Sequence, residues 1–207
     1  MKRILLVTIL LISSSVFAAQ PQPQDKIDLI NAKINNNYLF SMSMDKLTDN
    51  IGRPMIGEKG DVSKELAAYI STVFNYFNKG LSFWFNSPKV DKKELCYCLH
   101  IYLTKTFDKQ NNDYFLPFRG FITDGVTINS KKKDILKLFS KYKPEDEYSP
   151  EKEKKIEETY SILGPGAVKT EKENLYMIII NQNNHHIEFK YDPVSNFINE
   201  IILIKKM

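Results

Sequence analysis

Two short stretches decide the predicted fold: Leu81-Ser82-Phe83-Trp84-Phe85-Asn86 and Ile187-Glu188-Phe189-Lys190-Tyr191-Asp192. Apolar residues fall on the same alternate positions in both, which is the pattern of a strand with one buried face. A turn precedes each stretch, at residues 78–80 and 181–184, and both turns are rich in residues that tolerate positive φ. A further strand follows each, over residues 95–103 and 200–204. The match indicates a repeated unit.

A short helix is predicted ahead of each set of strands. The first includes Asp45 and Leu47 and stops at 51–54, while the second is capped by Asn129 or Ser130 and ends at Lys143-Pro144. We therefore predict an α+β fold of two similar modules, each a short helical element packed on a three-stranded antiparallel meander. The alternative is that the alternation is coincidental. The predicted modules are residues 42–113 and 126–207, with a charged insertion at 143–166 and a packed connector at 114–125.

The N-terminus has the features of a secretory signal peptide. Lys2 and Arg3 precede an apolar run over residues 4–12, and Val16 and Ala18 place small side chains before a cut after Ala18. The run is far shorter than the roughly 20 residues that cross a bilayer. We expect residues 1–18 to be removed, 19–41 to form a lead-in with a short helix, and the mature protein to be periplasmic or secreted. No later segment is apolar enough to span a membrane.

Charge argues against a nucleic-acid partner. The predicted signal peptide contains two of the 29 basic side chains, so the mature chain has 27 basic against 25 acidic side chains. A nucleic-acid binder carries a concentrated basic face and a much larger positive excess. The single basic run, residues 131–133, is typical of a solvated helix face.

Two cysteines lie in a clearly alternating strand. The odd positions from Leu95 to Leu103 are apolar, so Cys96, Cys98 and His100 are predicted to share the opposite face. Two free thiols, a disulfide that would require a bulge, and a soft-metal site all remain open. A thiol and an imidazole on one strand run parallel, which is a poor geometry for nucleophilic catalysis. We expect no catalytic set, no metal and no cofactor.

The second face of the first meander is predicted to be aromatic. Trp84 alternates away from its phenylalanine neighbours and joins His100 and Tyr102 there, whereas an antiparallel sheet normally gives this face polar residues. Either the two modules pack their sheets together at this face, or it docks a partner with Trp84 as the anchor. Trp84, His100 and Tyr102 are the candidate partner-binding residues.

Four segments carry a resemblance to a known group: Ile51-Gly52-Arg53-Pro54, residues 80–85, Pro117-Phe118-Arg119-Gly120 and residues 187–192. In this order they are similar to exported proteobacterial proteins built from repeated BamE/SmpA-like, β-lactamase-inhibitor-like helix plus β-meander modules. The resemblance implies a protein-binding role in the cell envelope, including inhibition of or immunity against a secreted toxin. It implies no enzymatic chemistry and transfers no site residues.

Three functions follow from these observations. The first is a non-enzymatic exported protein-binding module, in its sharper form a periplasmic immunity or inhibitor protein that occludes a secreted antibacterial effector. The alternative is a structural or assembly factor of the cell envelope, whose partner is an envelope component. The third is a Cys-dependent enzyme, which the geometry of the strand disfavours.

Overall fold

The computed structural model describes residues 24–59, 71–87, 93–147 and 176–206. The predicted signal peptide and the part of the predicted insertion beyond residue 147 lie outside them. The helices are α1 (Met44–Ile51) and α2 (Lys132–Leu138). The strands, in chain order, are β1 (Lys26–Asp28), β2 (Lys33–Ile34), β3 (Asn37–Tyr38), β4 (Met55–Lys59), β5 (Ser71–Tyr76), β6 (Leu81–Phe85), β7 (Cys96–Tyr102), β8 (Thr106–Asp108), β9 (Asp113–Phe115), β10 (Phe121–Ile122), β11 (Glu145–Asp146), β12 (Met177–Asn181), β13 (His185–Tyr191) and β14 (Ile198–Lys205).

One continuous antiparallel sheet of eight strands dominates the protein, in the order β11-β12-β13-β14-β7-β6-β5-β4. The α+β prediction of two helix-on-meander modules is therefore wrong, because the protein is mostly β-sheet. Strands β7 and β14 pair directly, with Leu99 opposite Leu203 and Ile101 opposite Ile201. Their pairing satisfies two strand edges that separate modules would leave open. The two sets of strands thus meet edge to edge, and not face to face as one interpretation proposed.

The helices are too short to cover a sheet by themselves. Helix α1 has eight residues and α2 has seven, about two turns each. The predicted end of α1 is confirmed, since the helix stops at Ile51 and Gly52 follows at φ 103°. The Ser43 side chain caps its start. Helix α2 begins later and ends earlier than predicted, since Lys131 is its N-cap residue and a 3-10 turn over Ser140–Tyr142 follows.

The N-terminal part forms strands and not the short helix expected within 19–41. Strands β1, β2 and β3 make a small sheet with β10, which pairs parallel to β1. Asn35 and Asn36 both adopt positive φ in the tight turn between β2 and β3, a conformation that asparagine tolerates well. Ile27 and Ile34, both fully buried, point from this sheet into the core.

A single core fills the space between the small sheet, the helices and one face of the large sheet. Alternate residues of each long strand face it, as the period of two requires. The fully buried core side chains include Leu29, Leu47, Phe83, Phe85, Ile101, Ile135, Ile187, Phe189, Ile201 and Leu203.

Within the described residues no helix has the length and apolar character to cross a membrane.

Gly80 allows the β5–β6 turn to pack closely against the following chain. It has φ 65°, and a Cβ atom there would lie 2.3 Å from the carbonyl oxygen of Leu116 and 2.8 Å from the amide nitrogen of Phe118. The predicted turn at 78–80 is thus confirmed, and only glycine fits at its end. The turn brings residues 115–118 against the end of β7, where the amide of Phe118 donates to the carbonyl of Tyr102.

Candidate functional site

A β-bulge separates the two cysteines. Trp84 lies opposite Cys98, and the next residue of β6, Phe85, lies opposite Cys96. A step of one residue along β6 therefore corresponds to a step of two residues along β7. The extra residue reverses the alternation. Cys96 therefore turns into the core beside Phe85, and the prediction that both thiols share the second face is wrong for Cys96.

Both cysteines are buried free thiols. The Cys96 thiol donates to the carbonyl of Cys98 at 3.3 Å, and burial raises the pKa of Cys96 to about 12. Burial also raises the pKa of Cys98 well above its ordinary value, and Cys96 and nearby carboxylates add to that effect. A thiol needs its thiolate form to act as a nucleophile. Among the described residues no cluster could hold a metal ion.

The three predicted partner-binding residues lie side by side on the second face. The rings of Trp84 and His100 stack with centroids 4.9 Å apart, and His100 lies 6.2 Å from Tyr102. Tyr102 in turn stacks on Phe115 at 4.1 Å, and Phe115 contacts Phe77 at 4.4 Å. We call these five residues the aromatic ladder. It runs from the middle of the large sheet to strand β9.

The aromatic ladder is partly covered and does not project. Tyr102 is buried, the His100 side chain is only 14% exposed, and Trp84 is half-buried. The Trp84 indole donates to the hydroxyl of Ser82 at 3.2 Å, which itself donates to Asn75. This network holds the half-buried indole in place, and the role of Trp84 as an anchor stays a prediction.

An ion-pair network crosses the seam between β7 and β14 beside the ladder. Nδ1 of His100 lies 2.6 Å from Oε1 of Glu200, and Nζ of Lys190 lies 3.4 Å from Oε2 of the same carboxylate. Burial acts to raise the pKa of Glu200, but His100 and Lys190 outweigh it and hold that pKa below its usual value. Sequence reasoning missed Glu200, because its face and its partners depend on the pairing of β14 with β7.

The β8–β9 hairpin presents the clearest exposed aromatic surface. Phe107 and Tyr114 lie opposite each other on its outer face, with ring centroids 4.8 Å apart, and they are 44% and 46% exposed. The ammonium group of Lys105 lies 4.2 Å from the centre of the Tyr114 ring. Phe115, on the inner face, is fully buried. The hairpin thus has one anchored side and one free aromatic side.

A capped turn holds the hairpin in shape. Oδ1 of Asp108 accepts from the backbone amide of Gln110 at 3.0 Å, and Oδ2 accepts from the side chain of Asn111 at 2.9 Å. Asn112 follows with φ 50°. Sequence reasoning placed residues 114–125 in a connector and missed this hairpin, although an asparagine pair at 111–112 is a recognisable turn signal.

Comparison with known proteins adds no family. No protein-family model matches the chain, and no curated protein and no solved structure shows significant similarity to it.

Proposed function

We propose that the mature chain acts outside the cytoplasm by binding another protein, without catalysis, and that the β8–β9 hairpin makes the central contact. In its sharper form the proposal is an immunity or inhibitor protein that occludes a secreted antibacterial effector. The observation that carries it is the exposed pair of Phe107 and Tyr114 on a hairpin whose other side is buried.

The exposed pair has the properties of an interface anchor. Large aromatic side chains supply much of the binding energy at protein interfaces, provided that little ordering is needed on binding. Here Phe107 and Tyr114 already contact each other, and the buried Phe115 holds β9 in place. Leu116, which is 41% exposed, extends the apolar surface.

The charge beside the pair indicates the chemistry of the partner. Lys105 is exposed and lies over the edge of this surface, against Tyr114. A complementary surface would offer an apolar depression for the two rings and a carboxylate near Lys105. We therefore infer a partner protein with an acidic rim around an apolar pocket.

The chemistry of the thiols supports binding over Cys-dependent catalysis. Burial raises the pKa of both Cys96 and Cys98, which keeps them protonated at neutral pH. The imidazole of His100 is engaged by Glu200 and stacked on Trp84. In the proposal these second-face residues support the hairpin through Tyr102 and Phe115.

Capture with matched variants tests the proposal. The mature chain is immobilised, exposed to envelope extract and to secreted protein of the producing cells, and bound proteins are identified by mass spectrometry. We expect the double variant Phe107→Ala/Tyr114→Ala to bind the captured protein at least about tenfold more weakly, since truncated anchors cost that much. Val194→Ala, which trims a side chain that is 89% exposed in the turn between β13 and β14, is the control.

The identity of the captured protein separates the remaining functions. A secreted toxin whose activity the wild-type chain blocks supports immunity, whereas a component of an outer-membrane complex indicates an envelope assembly factor. Equal capture by the wild type and the double variant would contradict the role of the hairpin, and capture of no protein by any form would contradict the proposed function.

A further inference from the structure

A polar pocket lies where the small sheet meets the turn between β12 and β13. It is open to solvent and has a volume of about 230 Å³. Its lining shares no residue with the β8–β9 hairpin. The lining residues are Ile30 and Asn31 from the β1–β2 turn, Tyr38 from β3, Gln182, Asn183 and Asn184 from the β12–β13 turn, and His185 from the start of β13.

His185 fixes the two sides of the pocket relative to each other. Its Nε2 lies 3.0 Å from the carbonyl oxygen of Leu29, and its ring packs 5.8 Å from that of Phe40. A carbonyl oxygen only accepts, so Nε2 carries the hydrogen. Burial lowers the pKa of His185, which keeps the imidazole neutral near pH 7. The pocket is thus built by a cross-link between two sheets and is not an accident of one loop.

The pocket carries no charged side chain in its lining, and charged groups of both signs lie close to it. On one side, the carboxylate of Asp28 accepts from the backbone and the side-chain amide of Asn31, both at 2.9 Å. On the other, the Lys206 ammonium donates to the carbonyl of Gln182 at 2.7 Å. Because a carboxylate and an ammonium flank the site and each already has a partner, the pocket favours a neutral ligand.

The lining offers exposed hydrogen-bonding groups. Asn183 and Asn184 both line the pocket and are exposed, so their amides can reach a ligand. An amide side chain presents a donor and an acceptor side by side, and a sugar hydroxyl group both donates and accepts. Two neighbouring exposed amides therefore suit a polyhydroxyl compound.

Tyr38 adds an apolar face to these amides. Its ring is 36% exposed and is held edge-on against Phe40 at 5.7 Å. The flat C–H face of a sugar ring can cover such a ring while its hydroxyl groups reach the amides. We propose that this pocket binds a neutral sugar, with the ring over Tyr38 and adjacent hydroxyl groups on the amides of Asn183 and Asn184.

Titration with sugars of different charge tests this proposal. Glucose, galactose and N-acetylglucosamine are the neutral probes, and glucosamine and glucuronate supply the same ring with a positive or a negative charge. Binding is followed by the side-chain and backbone amide resonances of residues 182–184. We expect saturable shifts with at least one neutral sugar, at about millimolar affinity, and weaker shifts with both charged analogues.

Variants of the lining complete the test. Tyr38→Ala and Asn183→Ala should each weaken binding of the neutral sugar about fivefold, the effect of one lost contact. Asn129→Ala, at another exposed asparagine, should leave it unchanged. The proposal fails if no neutral sugar gives a saturable shift, if a charged analogue binds as tightly as its neutral parent, or if Asn183→Ala binds normally. Because capture by the hairpin is measured separately, these outcomes are distinguishable from failure of the protein-binding function.

Discussion

At the scale of single residues, one inserted position in β7 determines the environments of two cysteines. The bulge opposite Phe85 sends Cys96 into the core and leaves Cys98 on the second face beside Trp84. Both thiols are buried, and the cause of the raised pKa is burial in each case. A buried thiol of this kind behaves as a small apolar side chain.

Thiol labelling checks this environment. Raising the pKa of Cys96 from 9.0 to about 12 lowers its thiolate fraction near neutral pH by about a thousandfold. We expect both cysteines to react with a thiol reagent in denaturant. In the native protein neither cysteine should react on the same time scale. Intact mass should be the same with and without reductant. Rapid native labelling of either cysteine would contradict the burial that the structure shows.

At the scale of elements, the β8–β9 hairpin depends on one inward side chain. Phe115 stacks on Tyr102 at 4.1 Å and contacts Phe77 at 4.4 Å, while its neighbour Tyr114 points outward. The two faces of this short strand therefore have different roles. The inner one contributes stability, and the outer one is available for contact.

Alanine variants separate these roles. Phe115→Ala should lower the free energy of unfolding by about 3–5 kcal/mol, because it leaves a cavity beside two rings. Phe107→Ala, at a half-exposed position, should lower it by less than about 1 kcal/mol. Urea denaturation measures both values. Similar losses for the two variants would mean that the hairpin does not pack as described.

At the scale of the whole molecule, the seam between β7 and β14 joins residues about a hundred positions apart into one sheet. On the core side the seam is apolar, through Leu99 opposite Leu203 and Ile101 opposite Ile201. On the other side, Glu200 links β14 to His100 on β7, 100 residues away in sequence. A partly buried carboxylate whose pKa is lowered by His100 and Lys190 makes this seam sensitive to acid.

The pH dependence of stability follows from the lowered pKa of Glu200. A carboxyl group whose pKa is lower in the folded state than in the unfolded state stabilises the folded protein when it is ionised. This contribution is fully present above the pKa of the unfolded state, which is about 4.3 for a glutamate. That contribution is lost as the pH falls through the lower folded value. We expect Glu200→Gln to cost about 1–3 kcal/mol at pH 7 and to flatten the loss of stability below about pH 4.5.

Denaturation at a series of pH values measures this effect. Asp49→Asn, which changes an exposed carboxyl on α1, is the control and should follow the wild type throughout. If Glu200→Gln and the wild type lose stability in parallel as the pH falls, Glu200 is not the group that makes the seam sensitive to acid.

The sequence by itself determined several local elements of this protein. The end of helix α1 follows from the glycine and proline at 52 and 54, and β6 and β13 follow from the alternation of apolar residues. The β5–β6 turn follows from Asn78-Lys79-Gly80. Each of these signals lies within a few residues of the helix, strand or turn that it specifies, so one sequence is enough to recognise it.

Only the tertiary structure decided how these elements join. Alternation shows which face of a strand is buried but not which strand lies beside it, so two separate modules and one continuous sheet have the same pattern. The bulge at Cys96, the pairing of β7 with β14, and the contacts of Glu200 and Phe115 all depend on distant partners. Pairing of the open backbone edges of β7 and β14 with each other decided among them, and no local signal in the sequence encodes that choice.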